Sequence, residues 1–182
     1  MAQNAVWHVS LLLSAALAVQ AAETAAPASS ILEPALAAAA EQHKAVFLIF
    51  HASWCGWCRK LDQFIESPEI KPVIDKYFVV AHLTVMEQGE KKSLNNPGGA
   101  EVMNRAGGGF VSLPFFAFLD GAGATIVNSI RPGAGPAPTR NIGHPVEPNE
   151  IDWFLEMVKK AAPAISAGES GALEHWLRTQ KK

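Results

Sequence analysis

The chain has 182 residues, of which 49% are hydrophobic and 18% charged, and its formal net charge is −2. This composition is typical of a globular protein and excludes an intrinsically disordered chain. The length is sufficient for one domain with a well-filled core, and the near-neutral charge gives no basis for binding nucleic acid or an anionic membrane surface.

The N-terminal segment, residues 1–21, has the pattern of a secretory signal peptide. An apolar run from Val9 to Val19 is followed by Val19-Gln20-Ala21, which fits a small-residue cleavage site. The run is shorter than the about 20 apolar residues of a membrane-spanning helix, and no cysteine follows it to carry a lipid anchor. We therefore expect a periplasmic or secreted protein. Because no Lys or Arg precedes Val9, an uncleaved anchor and a buried N-terminal helix stay open as alternatives.

A linker, a helix and a strand are predicted next. Residues 22–30 are rich in Ala, Pro and Ser, so we expect a linker there and one domain over residues 31–182. Ser30-Ile31-Leu32-Glu33 has the spacing of a capping box. Apolar residues then recur at helical spacing, at Leu32, Ala35, Leu36 and Ala39. The run Val46 to Phe50 is apolar throughout, which predicts a central strand buried on both faces.

The two cysteines of the chain lie directly after this strand, at Cys55 and Cys58, where a helix is predicted over Cys55–Ile65. Unpaired N–H groups and the positive end of the macrodipole favour a negative charge at a helix start. We therefore expect Cys55 to have a lowered pKa and to be the exposed attacking thiol. Cys58 shares a helix face with Leu61 and Ile65, so we expect it to be the shielded resolving thiol.

Other uses of this cysteine pair fit the sequence less well. A structural zinc site needs about four ligands, and neither a second cysteine pair nor a suitably spaced histidine pair is present. Haem attachment requires a histidine after the second cysteine, where the chain has Arg59. A purely structural disulfide across two residues would restrict little chain entropy. We expect a redox-active dithiol that needs neither a metal nor a dissociable cofactor.

Helices and strands alternate through the middle of the chain. In order, we predict a short helix over Ser67–Asp75, a strand over Tyr77–Val85, a loop over Met86–Pro97, a helix over Gly98–Ala106, and a hairpin of strands Phe115–Leu119 and Thr125–Ile130. The charges of the loop alternate in sign, which is typical of solvated surface. Asp120-Gly121-Ala122-Gly123 is a strong turn signal between the hairpin strands.

The C-terminal part is predicted to be a long loop followed by two helices. Residues 131–148 are rich in Pro and Gly and should form a loop that could shape a partner site. Asn149 has the position of a helix cap, before apolar residues at helical spacing: Ile151, Phe154, Leu155 and Val158. A last short helix is indicated by Leu173, Trp176 and Leu177. The pattern contains no internal repeat and no second domain.

Two motifs in this chain resemble the thioredoxin superfamily over about residues 40–160. The first is Trp54-Cys55-Gly56-Trp57-Cys58 after an apolar strand, and the second is the run Ser112-Leu113-Pro114-Phe115-Phe116 with the hairpin turn beyond it. The resemblance implies a thioredoxin-like α/β fold. Its central mixed sheet would be flanked by helices, with an N-terminal helix and a short C-terminal helix added. It also implies a cis peptide bond at Leu113-Pro114, placed against the dithiol.

The resemblance also suggests which residues bind and which move protons. Trp54, Gly56 and Trp57 would contact a protein substrate together with Leu113 and Pro114. In many thioredoxins a buried acid serves as the proton acceptor for the resolving thiol.

This chain has Ile49 at the position of that acid, so the proton acceptor is unassigned. His51, on the same strand face and nearer the dithiol, is the candidate. A half-buried polar residue that ends the strand is the alternative interpretation.

The function implied is thiol–disulfide exchange on cysteine-containing exported proteins, with a membrane thiol–disulfide electron donor or acceptor as the redox partner. We expect a monomer, and a reductant rather than an oxidant, because the sequence has no large helical insertion of the kind that resembles dedicated disulfide oxidases. Trp57 stands where the usual thioredoxin has proline, so a disulfide oxidase or isomerase stays open. A non-catalytic binding or chaperone module is the rival from another class, although such a module would need neither cysteine.

Overall fold

The structure, a computed structural model, describes residues 24–109, 111–133, 135–136 and 140–180, so the predicted signal peptide lies outside the described residues. The helices and strands are α1 (Ala28–Gln42), β1 (Ala45–His51), α2 (Gly56–Ile65), α3 (Lys71–Tyr77), β2 (Phe78–Thr84), α4 (Gly99–Arg105), β3 (Phe115–Leu119), β4 (Thr125–Asn128), α5 (Pro148–Ala161) and α6 (Ala167–Thr179). A 3₁₀ helix, Gly89–Leu94, follows β2.

The four described strands form one mixed sheet in the order β2-β1-β3-β4. Strand β1 pairs with β2 in parallel and with β3 antiparallel, and β4 pairs antiparallel with β3. Strand β1 is therefore paired along both of its edges, and its residues from Ala45 to Phe50 are all buried. The prediction of a central, doubly buried strand is therefore confirmed.

Side chains of β1 alternate between two apolar clusters, one on each face of the sheet. Phe47 and Ile49 face the larger cluster, which includes buried residues of α2, α3, α5 and α6. Val46, Leu48 and Phe50 face the second cluster, with α1, α4 and both cysteines. Helices thus cover both faces, and the predicted fold class, including the added N-terminal and C-terminal helices, is confirmed.

Helix α1 begins earlier than the sequence predicts. It starts at Ala28, inside the predicted linker, and its N-cap is Pro27. The predicted capping box is wrong, because the hydroxyl of Ser30 donates back to the Pro27 carbonyl instead of capping a helix start. The helix starts earlier because the backbone at Ala28 is fixed to a distant segment: the Ala28 N–H donates to the Pro97 carbonyl at 2.8 Å.

Two other helix starts differ from their predictions. Helix α3 begins at Lys71 rather than near Ser67, because Ser67 closes the end of α2 with a hydrogen bond from its hydroxyl to the Phe64 carbonyl. The cap of α5 is Glu147 and not Asn149, and Glu147 forms a capping box with Glu150. Each of these helices has a proline in its first turn, Pro72 in α3 and Pro148 in α5, where the missing N–H costs no helical bond.

Candidate active site

The two cysteines form a disulfide at the N-terminus of α2. Cys55 is the N-cap residue, and its Sγ accepts a hydrogen bond from the Cys58 backbone N–H at 3.1 Å. The Cys55 N–H in turn donates to the Ala52 carbonyl at 3.0 Å, so the turn between β1 and α2 is closed on both sides of Cys55. A negative charge on the Cys55 sulfur would meet the unpaired N–H groups of the first helical turn.

The expected difference in exposure between the two cysteines is not found. Cys55 is 3% exposed and Cys58 is 2% exposed, so the prediction of an exposed Cys55 is wrong for the disulfide form. The reason is that both sulfur-bearing side chains belong to the same apolar cluster, together with Ala52 and Leu113. The residues exposed to solvent here are the flanking tryptophans, Trp54 and Trp57.

Trp54 and Trp57 provide that exposed surface beside the disulfide. Their side chains are 56% and 50% exposed, respectively. Large apolar side chains at this exposure, next to a reactive group, are typical of a surface that binds a partner. The sequence predicted contact with a protein substrate for both residues, and their placement is compatible with that role.

The turn that carries Trp54 is braced by a buried carboxylate. Glu87 is only 4% exposed and accepts hydrogen bonds from the backbone N–H and the hydroxyl of Ser53. Trp54 donates from its indole Nε1 to the Met86 carbonyl at 3.2 Å. The predicted solvated loop over Met86–Pro97 is therefore wrong at Glu87, because this carboxylate satisfies donors of the active-site turn. Charge alternation alone could not reveal a partner 34 residues away.

Trp57 is contacted by one residue that is near in the sequence and by one that is distant. The ammonium of Lys60 lies 4.8 Å from the centre of its ring. The imidazole of His144 stacks on it with ring centres 6.3 Å apart. His144 is buried, and burial lowers the pKa of its imidazole, so the ring is neutral at pH 7. The sequence placed His144 in a long loop without a role, because no local pattern indicates a contact with Trp57.

Leu113 and Pro114 lie beside this surface. Their peptide bond is cis, and Asn141 donates to the carbonyls of Ser112 and Pro114. The backbone N–H and carbonyl of Leu113 make no hydrogen bond with any described residue. A groove of about 410 Å³ brings this segment together with Trp57. Its lining residues are Trp57, Ser112, Leu113, Asn141, Ile142, Gly143, His144, Val146, Glu147 and Glu150.

His51, the candidate proton acceptor, belongs to a polar cluster at the end of β1. Its Nε2 lies 3.3 Å from the Thr84 hydroxyl, and its ring centre lies 5.3 Å from that of His82. His82 pairs with Asp62 at 3.1 Å. Burial lowers the pKa of His51, and His82 lowers it further. Ile49 is fully buried, and its hydrocarbon side chain has no group that accepts a proton. The role of His51 as the proton acceptor stays a prediction.

Among the described residues, no three His, Cys, Asp or Glu side chains lie together as a metal site would require.

A match to a protein family agrees with three of these features: the dithiol turn, the Leu113-Pro114 segment and the mixed sheet. The sequence model of the thioredoxin-like family matches residues 28–121, which include both cysteines and Pro114. The chain belongs to the thioredoxin-like family. Family membership and the Cys55–Cys58 pair together identify this thioredoxin-like chain as a thiol–disulfide oxidoreductase.

Solved structures also resemble this thioredoxin-like chain. A disulphide isomerase from Xylella fastidiosa Temecula1 has 18% identity and a TM-score of 0.49, covering 91% of this chain and 96% of that one. The DsbH oxidoreductase has 20% identity and a TM-score of 0.47, covering 86% and 96%. A thioredoxin from Thermus thermophilus has 20% identity and a TM-score of 0.44, covering 87% and 98%. No curated protein sequence matches the chain.

Proposed function

We propose that this protein is a monomeric reductant of disulfides in exported, cysteine-containing proteins. The observation that carries the proposal is the position of the Cys55–Cys58 disulfide, at the N-terminus of α2 and beside two half-exposed tryptophans. That position supplies both a stabilised thiolate and a surface for a polypeptide.

The reaction starts from the dithiol form. The Cys55 thiolate attacks one sulfur of the substrate disulfide, forms a mixed disulfide and releases the other substrate sulfur as a thiolate, which takes up a proton. Cys58 then loses its proton, and its thiolate attacks the Cys55 sulfur. The products are the Cys55–Cys58 disulfide and the second substrate thiol, so two electrons have passed to the substrate. A membrane thiol–disulfide donor would return two electrons for the next cycle.

The assignment of Cys55 as the attacking thiol rests on its place at the helix start. It accepts the Cys58 N–H bond and lies at the positive end of the α2 dipole. Cys58, one turn further, is placed to attack the mixed disulfide. His51 is the proposed acceptor of the Cys58 proton, because it is the histidine nearest in sequence to the dithiol and its lowered pKa keeps it neutral at pH 7.

Substrate binding is proposed along the groove between Trp57 and Leu113. The Leu113 backbone is available to pair with an extended substrate segment, as an added strand pairs with a sheet edge. Trp54, Gly56, Trp57 and Pro114 would contact the same segment. Docking and sulfur exchange would then share one site.

The proposal that electrons flow from the dithiol to the substrate rests on the short region between β2 and β3. Its described part holds the 3₁₀ helix and the seven-residue helix α4, with no large helical insertion. The equilibrium potential of the Cys55–Cys58 couple against glutathione tests this direction. A value near the about −270 mV of thioredoxin supports a reductant, and one near the about −120 mV of a strong periplasmic oxidant means that the protein is an oxidase.

Activity itself is tested by the reduction of insulin with dithiothreitol as the electron source. We expect the wild-type protein to accelerate precipitation of the insulin B chain, and Cys55→Ser to be inactive because it lacks the nucleophile. A wild-type protein that does not accelerate the reaction would favour a binding or chaperone module instead.

Export is proposed from residues 1–21, with a mature chain that begins near Ala22. None of the described helices has both the length and the apolar character to cross a membrane. Mass spectrometry of the protein from its native source should detect a chain without its first 21 residues. A full-length cytoplasmic species would contradict export without affecting the exchange chemistry.

A further inference from the structure

Asn141 lies in a segment that returns to the sheet after β4, beyond the residues matched by the family model. Ile130 and Asn141 form an antiparallel bridge. On either side of it, the Arg131 N–H donates to the Arg140 carbonyl at 2.9 Å and the Ile142 N–H donates to the Ser129 carbonyl at 3.0 Å. The backbone of Asn141 is therefore fixed relative to the end of β4.

The side-chain amide of Asn141 joins two carbonyls that flank Leu113. Its Nδ2 donates to the Ser112 carbonyl at 2.7 Å and to the Pro114 carbonyl at 3.1 Å. Both donors of the amide are thus used on one short stretch of chain. Leu113 lies between the two bonded carbonyls, so its backbone cannot rotate without breaking one of them.

The amide oxygen of Asn141 is held from the sheet. Its Oδ1 accepts from the Ser129 hydroxyl at 2.7 Å, and the Ser129 Oγ accepts from the Phe116 N–H at 3.1 Å. Ser129 is fully buried. A continuous set of hydrogen bonds therefore runs from strand β3 through Ser129 and Asn141 to Ser112 and Pro114, and it fixes which end of the amide faces the carbonyls.

We propose that Asn141 is a positioning residue for polypeptide substrates, which holds the Leu113 backbone in the shape that pairs with an extended substrate segment. This inference rests on the proposed function, because it concerns how the same site binds its substrate. It assigns no chemical step to Asn141. Its physical basis is that a preformed edge loses less conformational entropy on binding than a mobile one.

The test compares a polypeptide disulfide with a small one. The probes are insulin and 5,5′-dithiobis(2-nitrobenzoate), which needs no strand pairing. Asn141→Asp keeps the acceptor for Ser129 and removes both donors, and Asn141→Ala removes the amide without adding a charge. Asn128→Asp is the matched control, because the Asn128 amide also donates to a backbone carbonyl, that of Ala106, but does not line the groove.

We expect both Asn141 variants to lower kcat/KM for insulin by about tenfold, mainly through KM, since both lose the two hydrogen bonds of ordinary strength to the Ser112 and Pro114 carbonyls. The kcat/KM for the small disulfide should fall much less. The equilibrium constant of the Cys55–Cys58 couple with glutathione should shift less than twofold. Asn128→Asp should leave the ratio of the two kcat/KM values at the wild-type level.

Three outcomes would overturn the inference. Equal losses with both disulfides would mean that Asn141 supports the dithiol or the fold in general. Unchanged insulin kinetics in folded variants would mean that it positions nothing. A wild-type protein that reduces the small disulfide but not insulin would contradict the proposed function itself. Thermal unfolding of each variant confirms folding, and Asn141→Ser replaces any variant that does not fold.

Discussion

At the scale of single residues, Glu87 is the most consequential feature that the sequence did not indicate. A buried carboxylate is costly unless its oxygens receive hydrogen bonds. Both oxygens of Glu87 receive them from Ser53, next to Trp54. Lys91 adds a bond to the Ser53 hydroxyl at 3.0 Å. This network fixes the turn before the dithiol in one conformation.

Glu87→Ala should destabilise the protein by about 1–3 kcal/mol, because it leaves the Ser53 N–H without a partner. Urea unfolding measures this change. Glu90→Ala is the control, since Glu90 is exposed on the neighbouring 3₁₀ helix and its removal should cost less than about 0.5 kcal/mol. Equal effects of the two substitutions would show that Glu87 braces nothing.

A half-buried histidine, His51, and a buried one, His144, predict how stability depends on pH. Burial lowers the pKa values of His51 and His144 below the unfolded value of 6.5. As the pH falls below about 6.5, the unfolded state therefore binds protons before the folded state does, and the free energy of unfolding decreases until the folded pKa values are passed. At His51, the charge of His82 lowers the pKa further, while Asp62 and Glu87 oppose the shift. At His144, the hydrogen bond with Gln180 opposes the shift, Lys60 adds to it, and Glu150 opposes it.

Urea unfolding at pH 7.5 and at pH 5.5 measures this dependence, about one unit on either side of 6.5. Glu169 does not interfere, because Lys76 and Ser166 lower its pKa to about 2 and its contribution is lost only as the pH falls below 4.5. We expect lower stability at pH 5.5, and a smaller difference in His144→Gln. Higher stability at the lower pH would contradict the account.

At the scale of elements, α6 is an addition that completes the core on one face of the sheet. Leu173 and Leu177 are buried in the larger apolar cluster. Trp176 packs on Phe64 of α2 with ring centres 5.0 Å apart. The helix begins with a capping box of Ser166 and Glu169. It therefore stabilises the back of the helix that carries the dithiol.

Leu173→Ala should lower the free energy of unfolding by about 2–5 kcal/mol, because it leaves a cavity in a close-packed cluster. The matched control is Leu94→Ala, whose leucine is exposed on the 3₁₀ helix. Chemical unfolding of both variants measures the difference. If the two substitutions cost the same, α6 is not part of the core.

Local patterns predicted most of the elements, and their failures have physical causes. The apolar run of β1, the helix after Cys55 and the periodic apolar residues of α5 depend on neighbours in sequence, and all three were predicted. Helix starts were less predictable. Ser30 and Asn149 have capping chemistry, but anchoring of the chain at Ala28 and the fixed φ of Pro148 decided where α1 and α5 begin.

At the scale of the whole molecule, the candidate site is assembled from segments that are distant in sequence. The dithiol and Leu113-Pro114 were predicted from motifs, because each motif carries its own local geometry. Glu87, Asn141 and His144 were not assigned roles, because their contacts with the active-site turn, the Leu113-Pro114 segment and Trp57 join residues 27 to 87 positions apart. Asn141 and His144 also lie beyond the family match. Two residues that line the groove, Asn141 and His144, are therefore in the part that motifs do not predict.

The central claim is exchange through a mixed disulfide on Cys55, and trapping that intermediate tests it most directly. Reduced Cys58→Ser is mixed with oxidised insulin and analysed by intact-mass and peptide mass spectrometry, with Cys55→Ser as the matched variant. We predict a stable adduct on Cys55 in Cys58→Ser and no adduct in Cys55→Ser, because only Cys55 lies at the helix start and only Cys58 can resolve the mixed disulfide. An adduct in Cys55→Ser alone, or in neither variant, would contradict the account.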